Sequence, residues 1–283
     1  GQTRLSISLY MSRGACLRTL ARWSEATMMY KQAAWLAEHL GDTENVLNSR
    51  ISLANVAMDR GNLPKAEKIL DRVIVEAESG NLPGVRAIAL HARGNVANLR
   101  GDYERAIALC YEALDGLQDE EARDRGLADV AASFSDLGLR APARDAYLIL
   151  AVTAQSQFTR WVAEMNLMEI AASDGEERAF EQYRRELAKA ELPAKLAAHY
   201  HYLAGQGYRA FGKERLAQRT LKRAVQVASE SQINEVLVKA EASLRDIPRH
   251  DAAAKPVVSK PSQQTAKVAE AIHRMRLVVN SAG

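Results

Sequence analysis

The residues closest to a chemical motif lie between positions 199 and 213. Gly207, Gly212 and Lys213 keep the GxxxxGK spacing of a phosphate loop, in which backbone amides and a lysine cradle phosphates while the next hydroxyl holds magnesium. Here Glu214 stands where that hydroxyl belongs, and no strand-like segment precedes the glycines, so the segment reads as a turn. His199 and His201 are interleaved with Tyr200 and Tyr202. Two imidazoles two residues apart diverge on a helix, unlike an i, i+4 pair, and no nearby carboxylate completes a zinc set. There is no hydrolase elbow and no nucleophile paired with a base. The sequence therefore predicts no catalytic residue, no metal site, no cofactor and no enzyme.

A second chemistry is carried by the side-chain amides of Asn55, Asn95 and Gln206, and what they can do depends on the elements that hold them. A small residue at Gly14, Ala54, Gly94, Ala131 and Gly205 precedes by seven residues a turn at Ala21, Gly61, Gly101, Gly138 and Gly212. Five residues after each turn stands Ala26, Ala66, Ala106, Ala143 or Ala217. The turn at Gly175 departs from the pattern, with Met168 before it and Ala179 one residue early. Successive turns are 40, 40, 37, 37 and 37 residues apart. A period in this range is that of stacked helical hairpins, each a helix A, a turn and a helix B.

Local signals support that register. In the second hairpin helix A is predicted over residues 44–60 and helix B over 64–79, with Gly61 as the left-handed C-cap and Pro64 at the first helical position. Asp102 is placed to cap the next helix, and Pro83, Pro142 and Pro193 fall at helix starts. Gly or Ala seven residues before each turn lets helix A approach helix B closely. Looser or re-angled packing is expected around Met168. Ile233, Val236, Leu237, Ala240 and Leu244 form the apolar face of a helix capping the stack, which Pro248 ends. The reading is thus a helical-repeat array with its cap over residues 1–247, a flexible linker over 248–263, and a basic amphipathic helix over 264–283. That last helix gathers Val268, Ile272, Met275 and Val279 on one face and Lys267, Arg274 and Arg276 around it.

The small residue, the turn glycine seven later and the alanine five beyond, best seen from Gly94 through Gly101 to Ala106, resemble the tetratricopeptide repeat over about residues 4–230. The resemblance implies an all-α, right-handed superhelical solenoid of about six hairpins plus the capping helix. The units exceed the usual length of about 34 residues. In this they are similar to the longer repeats of bacterial regulators of the MalT type and of the Rap and PlcR group.

In this architecture helix A lines the concave wall, with positions 13, 10, 9, 6 and 3 before each turn pointing inward. That places Asn48, Asn55 and Met58 of the second hairpin, His91, Asn95 and Asn98 of the third, Asn166 of the fifth, and Tyr202, Gln206 and Arg209 of the sixth on the candidate binding surface. Asn55, Asn95 and Gln206 share one position. Asn is a poor helix-interior residue because its amide competes for backbone hydrogen bonds, so its recurrence on one face calls for a use. An amide donates and accepts at once, which suits the alternating groups of an extended peptide. The resemblance implies this role for Asn55 and Asn95. The alternative is groove polarity, or bonding to the neighbouring hairpin. A carboxylate clamp of the chaperone kind does not fit, because Met11, Ile51 and His91 stand where it needs a lysine.

Composition narrows the remaining classes. With 38 basic and 35 acidic residues the net charge is +3, which gives no overall electrostatic case for nucleic acid or an anionic membrane. A one-base-per-repeat RNA reader is further disfavoured by the shift from 40 to 37 residues. Cys16 and Cys110 read as buried small hydrophobes in a reducing compartment. No apolar stretch reaches the roughly 20 residues of a membrane span, and no leader opens the chain. Gly1 in place of Met points to a trimmed fragment. The function expected is a cytoplasmic, non-catalytic scaffold that holds a protein or extended peptide in its groove. It is read as the sensing part of a bacterial regulator whose output domain lies elsewhere. The alternative is a self-assembling adaptor whose C-terminal helix docks into its own or a neighbour's groove, giving a homo-oligomer.

Overall fold

The computed structural model describes residues 2–246 and 260–282, which hold fourteen α-helices and no strand. The linker expected over 248–263 lies largely outside the described residues. The helices alternate as A and B elements. They are α1 (Gln2–Thr19) and α2 (Trp23–His39), α3 (Thr43–Asp59) and α4 (Leu63–Ser79), and α5 (Pro83–Leu99) and α6 (Tyr103–Ala113). Then follow α7 (Glu120–Asp136) and α8 (Arg140–Thr153), α9 (Gln157–Ser173) and α10 (Glu177–Lys189), and α11 (Ala194–Ala210) and α12 (Glu214–Glu230). Two further helices are α13 (Asn234–Asp246) and α14 (Gln263–Ala282).

Each hairpin bends at the residue expected. Gly61, Gly101, Gly138, Gly175 and Gly212 take φ between +67° and +80°, a region closed to most side chains, and Ala21 accepts it at φ 56°. The Asn62 and Asp102 side chains cap α4 and α6 by accepting from the backbone N–H of Lys65 (3.2 Å) and Arg105 (3.4 Å). A side chain on Gly14 would meet the Tyr30 ring at 2.6 Å, one on Gly205 would meet Leu221 Cγ at 2.7 Å, and one on Gly94 would strike Cys110 Sγ. These partners all stand nine residues after their turn, so small and bulky positions interlock hairpin by hairpin.

Two expectations fail for identifiable reasons. Cys16 is exposed, whereas Cys110 is buried. Cys16 lies five residues before its turn, where Val56, Val96 and Ile170 are buried, but on α1 this face is left open to solvent. Packing around Met168 is also not loose, since Met168 is fully buried. There Phe180 takes the place held elsewhere by an alanine five residues after the turn. Its fully buried ring sits edge-on to Tyr208 (centroids 5.5 Å), 5.3 Å from Phe211, and against Gly207, where a Cβ would collide with it. A glycine on α11 has made room for the aromatic on α10.

The chain forms two compact units, one of Gly1–Leu137 with Lys260–Ala271 and one of Gly138–Ser259 with Ile272–Gly283. In the first, α1, α3, α5 and α7 pack on one another in order. In the second, α9, α11 and α13 do the same. No two B helices of one unit pack together among the described residues, so in each unit the A row is the inner face and the B row the outer. The first unit also carries an ion cluster built around a buried arginine. Arg93, 2% exposed, pairs with Glu67 and with Asp71 Oδ1 (2.8 Å), and Arg100 joins Glu67 at 3.0 Å.

Candidate functional site

All ten residues expected on the binding surface are half-buried on A helices. Six belong to the first unit and four to the second, and the two inner faces differ in what occupies their polar groups.

On the first unit, α3 carries Asn48, Asn55 and Met58 and α5 carries His91, Asn95 and Asn98. The Asn48 backbone carbonyl accepts from Ser52 Oγ at 3.1 Å, and Met58 packs against the apolar cluster of Leu47, Ile51 and Val73. His91 Nε2 meets Asp129 Oδ2 of α7 at 2.6 Å, and Asn98 donates to Ser133 Oγ at 2.9 Å. These contacts tie α5 to α7. Asn55 and Asn95 stand apart from this network, because neither amide makes a hydrogen bond to a described residue. A half-buried amide without a partner is ready to donate and accept. Cys110, packed against Gly94 and the His91 carbonyl, is poorly suited to act as a nucleophile, since burial and the nearby Asp129 carboxylate push its thiol far above the usual range.

On the second unit the equivalent groups are already engaged. Asn166 donates to its own backbone at Val162 O (2.8 Å). Gln206 donates to Tyr202 OH (3.1 Å) and to Ser243 Oγ of α13 (3.2 Å), and its carbonyl accepts from Arg209 at 3.3 Å. Here the extra methylene of Gln lets the amide bridge to the next A helix, so bonding to the neighbouring hairpin describes Gln206. Burial lowers the pKa of both His199 and His201, keeping the imidazoles neutral. Among the described residues no group of three or more His, Cys, Asp or Glu side chains could hold a metal ion. No helix there is long and apolar enough to cross a membrane.

Asp129 and Ser133 belong to the first site, although the repeat register places only Asp129 in the groove. Ser133, five residues before its turn, looks in sequence like a packing residue. A further polar site, which no spacing in the sequence signals, lies on the outer row. Asp145 of α8, 7% exposed, accepts from Arg276 Nη1 (2.6 Å) and lies 2.7 Å from His273 Nδ1 of α14. In the first unit the Ser262 N–H donates to Glu104 of α6 at 2.8 Å, and Thr265 and Val268 are buried. Glu104 and Asp145, which receive α14 in the two units, both belong to B helices. Arg276 turns inward to the buried carboxylate, leaving Met275 38% exposed.

No protein-family model matches the sequence, and no curated protein matches it significantly. Solved structures do match. A Rap protein complexed with competence and sporulation factor aligns with TM-score 0.58 at 14% identity, over 87% of this chain and 75% of that one. Two structures of TPR-like repeats of a Podosopora anserina putative kinesin light chain, one of them carrying a point substitution, align at TM-score 0.44. The substituted form is 15% identical over 81% of this chain and 97% of its own, the other 14% identical over 82% and 98%. With the turns, the small-residue contacts and the A-row packing already described, the chain has a helical-repeat fold of the tetratricopeptide type.

Proposed function

We propose that the inner face of the first unit is a non-catalytic binding surface for an extended peptide segment of a partner protein. The side-chain amides of Asn55 and Asn95 hold the main chain of that segment. The observation that carries this reading is the pair of half-buried amides, at equivalent positions of α3 and α5, with no hydrogen-bond partner among the described residues. Met58 offers apolar contact beside them, and the His91–Asp129 pair offers charge. A protein of the same fold, the Rap protein, is complexed with competence and sporulation factor. That complex supports a ligand-holding role for the fold, and its ligand is not carried over to this chain. The wider setting we infer is a cytoplasmic bacterial regulator in which this chain is the sensing part.

The test is to select peptides from a random display library on the intact protein and map the bound ligand by amide hydrogen exchange. Protection centred on α3 and α5 is expected. Protection confined to the outer row, or no selectable peptide, would overturn the assignment.

A further inference from the structure

The net charge of +3 conceals an uneven distribution. In the second unit a groove of about 760 Å³ lies along α12, with Arg184 of α10 and His201 and Tyr208 of α11 completing its walls. The α12 side supplies Arg215, Arg219, Lys222 and Arg223. Arg215, Arg219 and Lys222 have no acidic partner among the described residues. Acids around the groove are taken: Glu181 pairs with Arg184 at 2.9 Å, Glu177 with Lys213 at 2.6 Å, and Glu230 accepts from the lining Gln226 at 2.9 Å. Burial and the neighbouring Arg223 lower the His201 pKa, so its ring adds no charge of its own. Leu216, 43% exposed, gives the groove an apolar edge.

We propose that this outer groove is a docking site for an acidic amphipathic helix of a partner protein. Three observations select that occupant. First, Arg215, Arg219 and Arg223 follow one another every four residues, about 6 Å apart along the axis. Carboxylates at i, i+4 and i+8 of a helix lying alongside match this spacing, and guanidinium forks bind carboxylates bidentately. Second, the same outer row already receives a helix elsewhere in the second unit. There His273 and Arg276 of α14 meet buried Asp145, with the charges reversed relative to the α12 groove. Third, the groove lacks what a single-stranded nucleic acid needs beyond charge. Tyr208, the one tyrosine in its lining, is buried, with Arg184 and Lys213 each 5.9 Å from its ring centroid, so it leaves no open platform for base stacking.

The test uses the full chain and three labelled probes. They are a Leu-rich helical peptide with Glu at i, i+4 and i+8, its Glu→Gln analogue, and a single-stranded oligonucleotide of similar length. Binding is read by fluorescence anisotropy at low salt and at about 300 mM salt. The Glu peptide should bind, weaken with salt, and exceed the Gln analogue by about tenfold or more. Arg215→Glu with Arg219→Glu and Arg223→Glu should abolish that advantage, while Asn55→Ala with Asn95→Ala should leave it unchanged. If the triple variant loses helical circular dichroism, the milder Arg219→Gln with Arg223→Gln takes its place and should weaken the Glu peptide severalfold. Equal binding of the Glu and Gln peptides, retention by the folded variant, or tighter binding of the oligonucleotide would each overturn the proposal.

Discussion

The inner faces of the two units are built from the same helix positions and use their amides in opposite ways. On α3 and α5 of the first unit Asn55 and Asn95 have no partner among the described residues, whereas in the second Asn166 bonds its own backbone and Gln206 bridges to Tyr202 and Ser243. An amide at a repeat position is thus not by itself a binding group. It becomes one where side-chain length and the next helix leave it unsatisfied. The units also hold themselves together differently. A buried arginine with two acids fastens α5 to α4 in the first, and an aromatic cluster seated on a glycine fastens α11 to α10 in the second.

The largest effect should come from breaking the first fastening. Arg93→Met leaves Asp71 without its cation and Glu67 with Arg100 alone. Because Asp71 is 53% and Glu67 22% exposed at the side chain, the loss falls below the roughly 3–5 kcal/mol of a stranded buried charge, and about 2 kcal/mol is expected in chemical denaturation. The matching test in the second unit is Gly207→Ala. The new methyl collides with the fixed Phe180 ring, so despite the better helix preference of Ala the net loss should be about 1–2 kcal/mol. Gln206→Ala removes a bridge to α13 and should cost about 1 kcal/mol by thermal unfolding. The smallest effect has the opposite sign. Asn55→Ala and Asn95→Ala remove poor helix formers that bond nothing, so each should stabilise the fold by about 0.5 kcal/mol. Destabilisation by these two would mean that their amides have internal partners after all, and the contrast between the units would collapse.

Much of the fold is legible in the sequence because its determinants are local. A residue forced to positive φ, a proline at a helix start and a glycine opposite a bulky side chain nine residues past the turn are all short-range facts. This is why even Ala21 can be placed in a left-handed turn. What resists reading depends on partners far along the chain. Nothing near Phe180 announces that Gly207 will receive its ring, and nothing near Gln206 announces Ser243. Cys16 is exposed because its face of α1 is left open, whereas Cys110 is buried against Gly94 of α5. The apolar face of α14 is visible in its spacing, but the surface it meets is not. Arg276 faces inward in place of Met275 because buried Asp145 needs a cation. The candidate site is therefore half legible. Its positions follow from the repeat, while the satisfaction of each amide is set by residues of the next helix.

In the proposed function the unsatisfied amides of the first unit hold a ligand's main chain. The most direct test is the dissociation constant of a library-selected peptide for the wild type, for Asn55→Ala with Asn95→Ala, and for Asn166→Ala with Gln206→Ala. About two hydrogen bonds' worth of net binding, roughly 2 kcal/mol, should be lost with the first pair, which is about a 30-fold weaker complex. The second pair should stay within about threefold of wild type. Unchanged affinity in Asn55→Ala with Asn95→Ala, or an equal loss in the second-unit pair, would contradict the account.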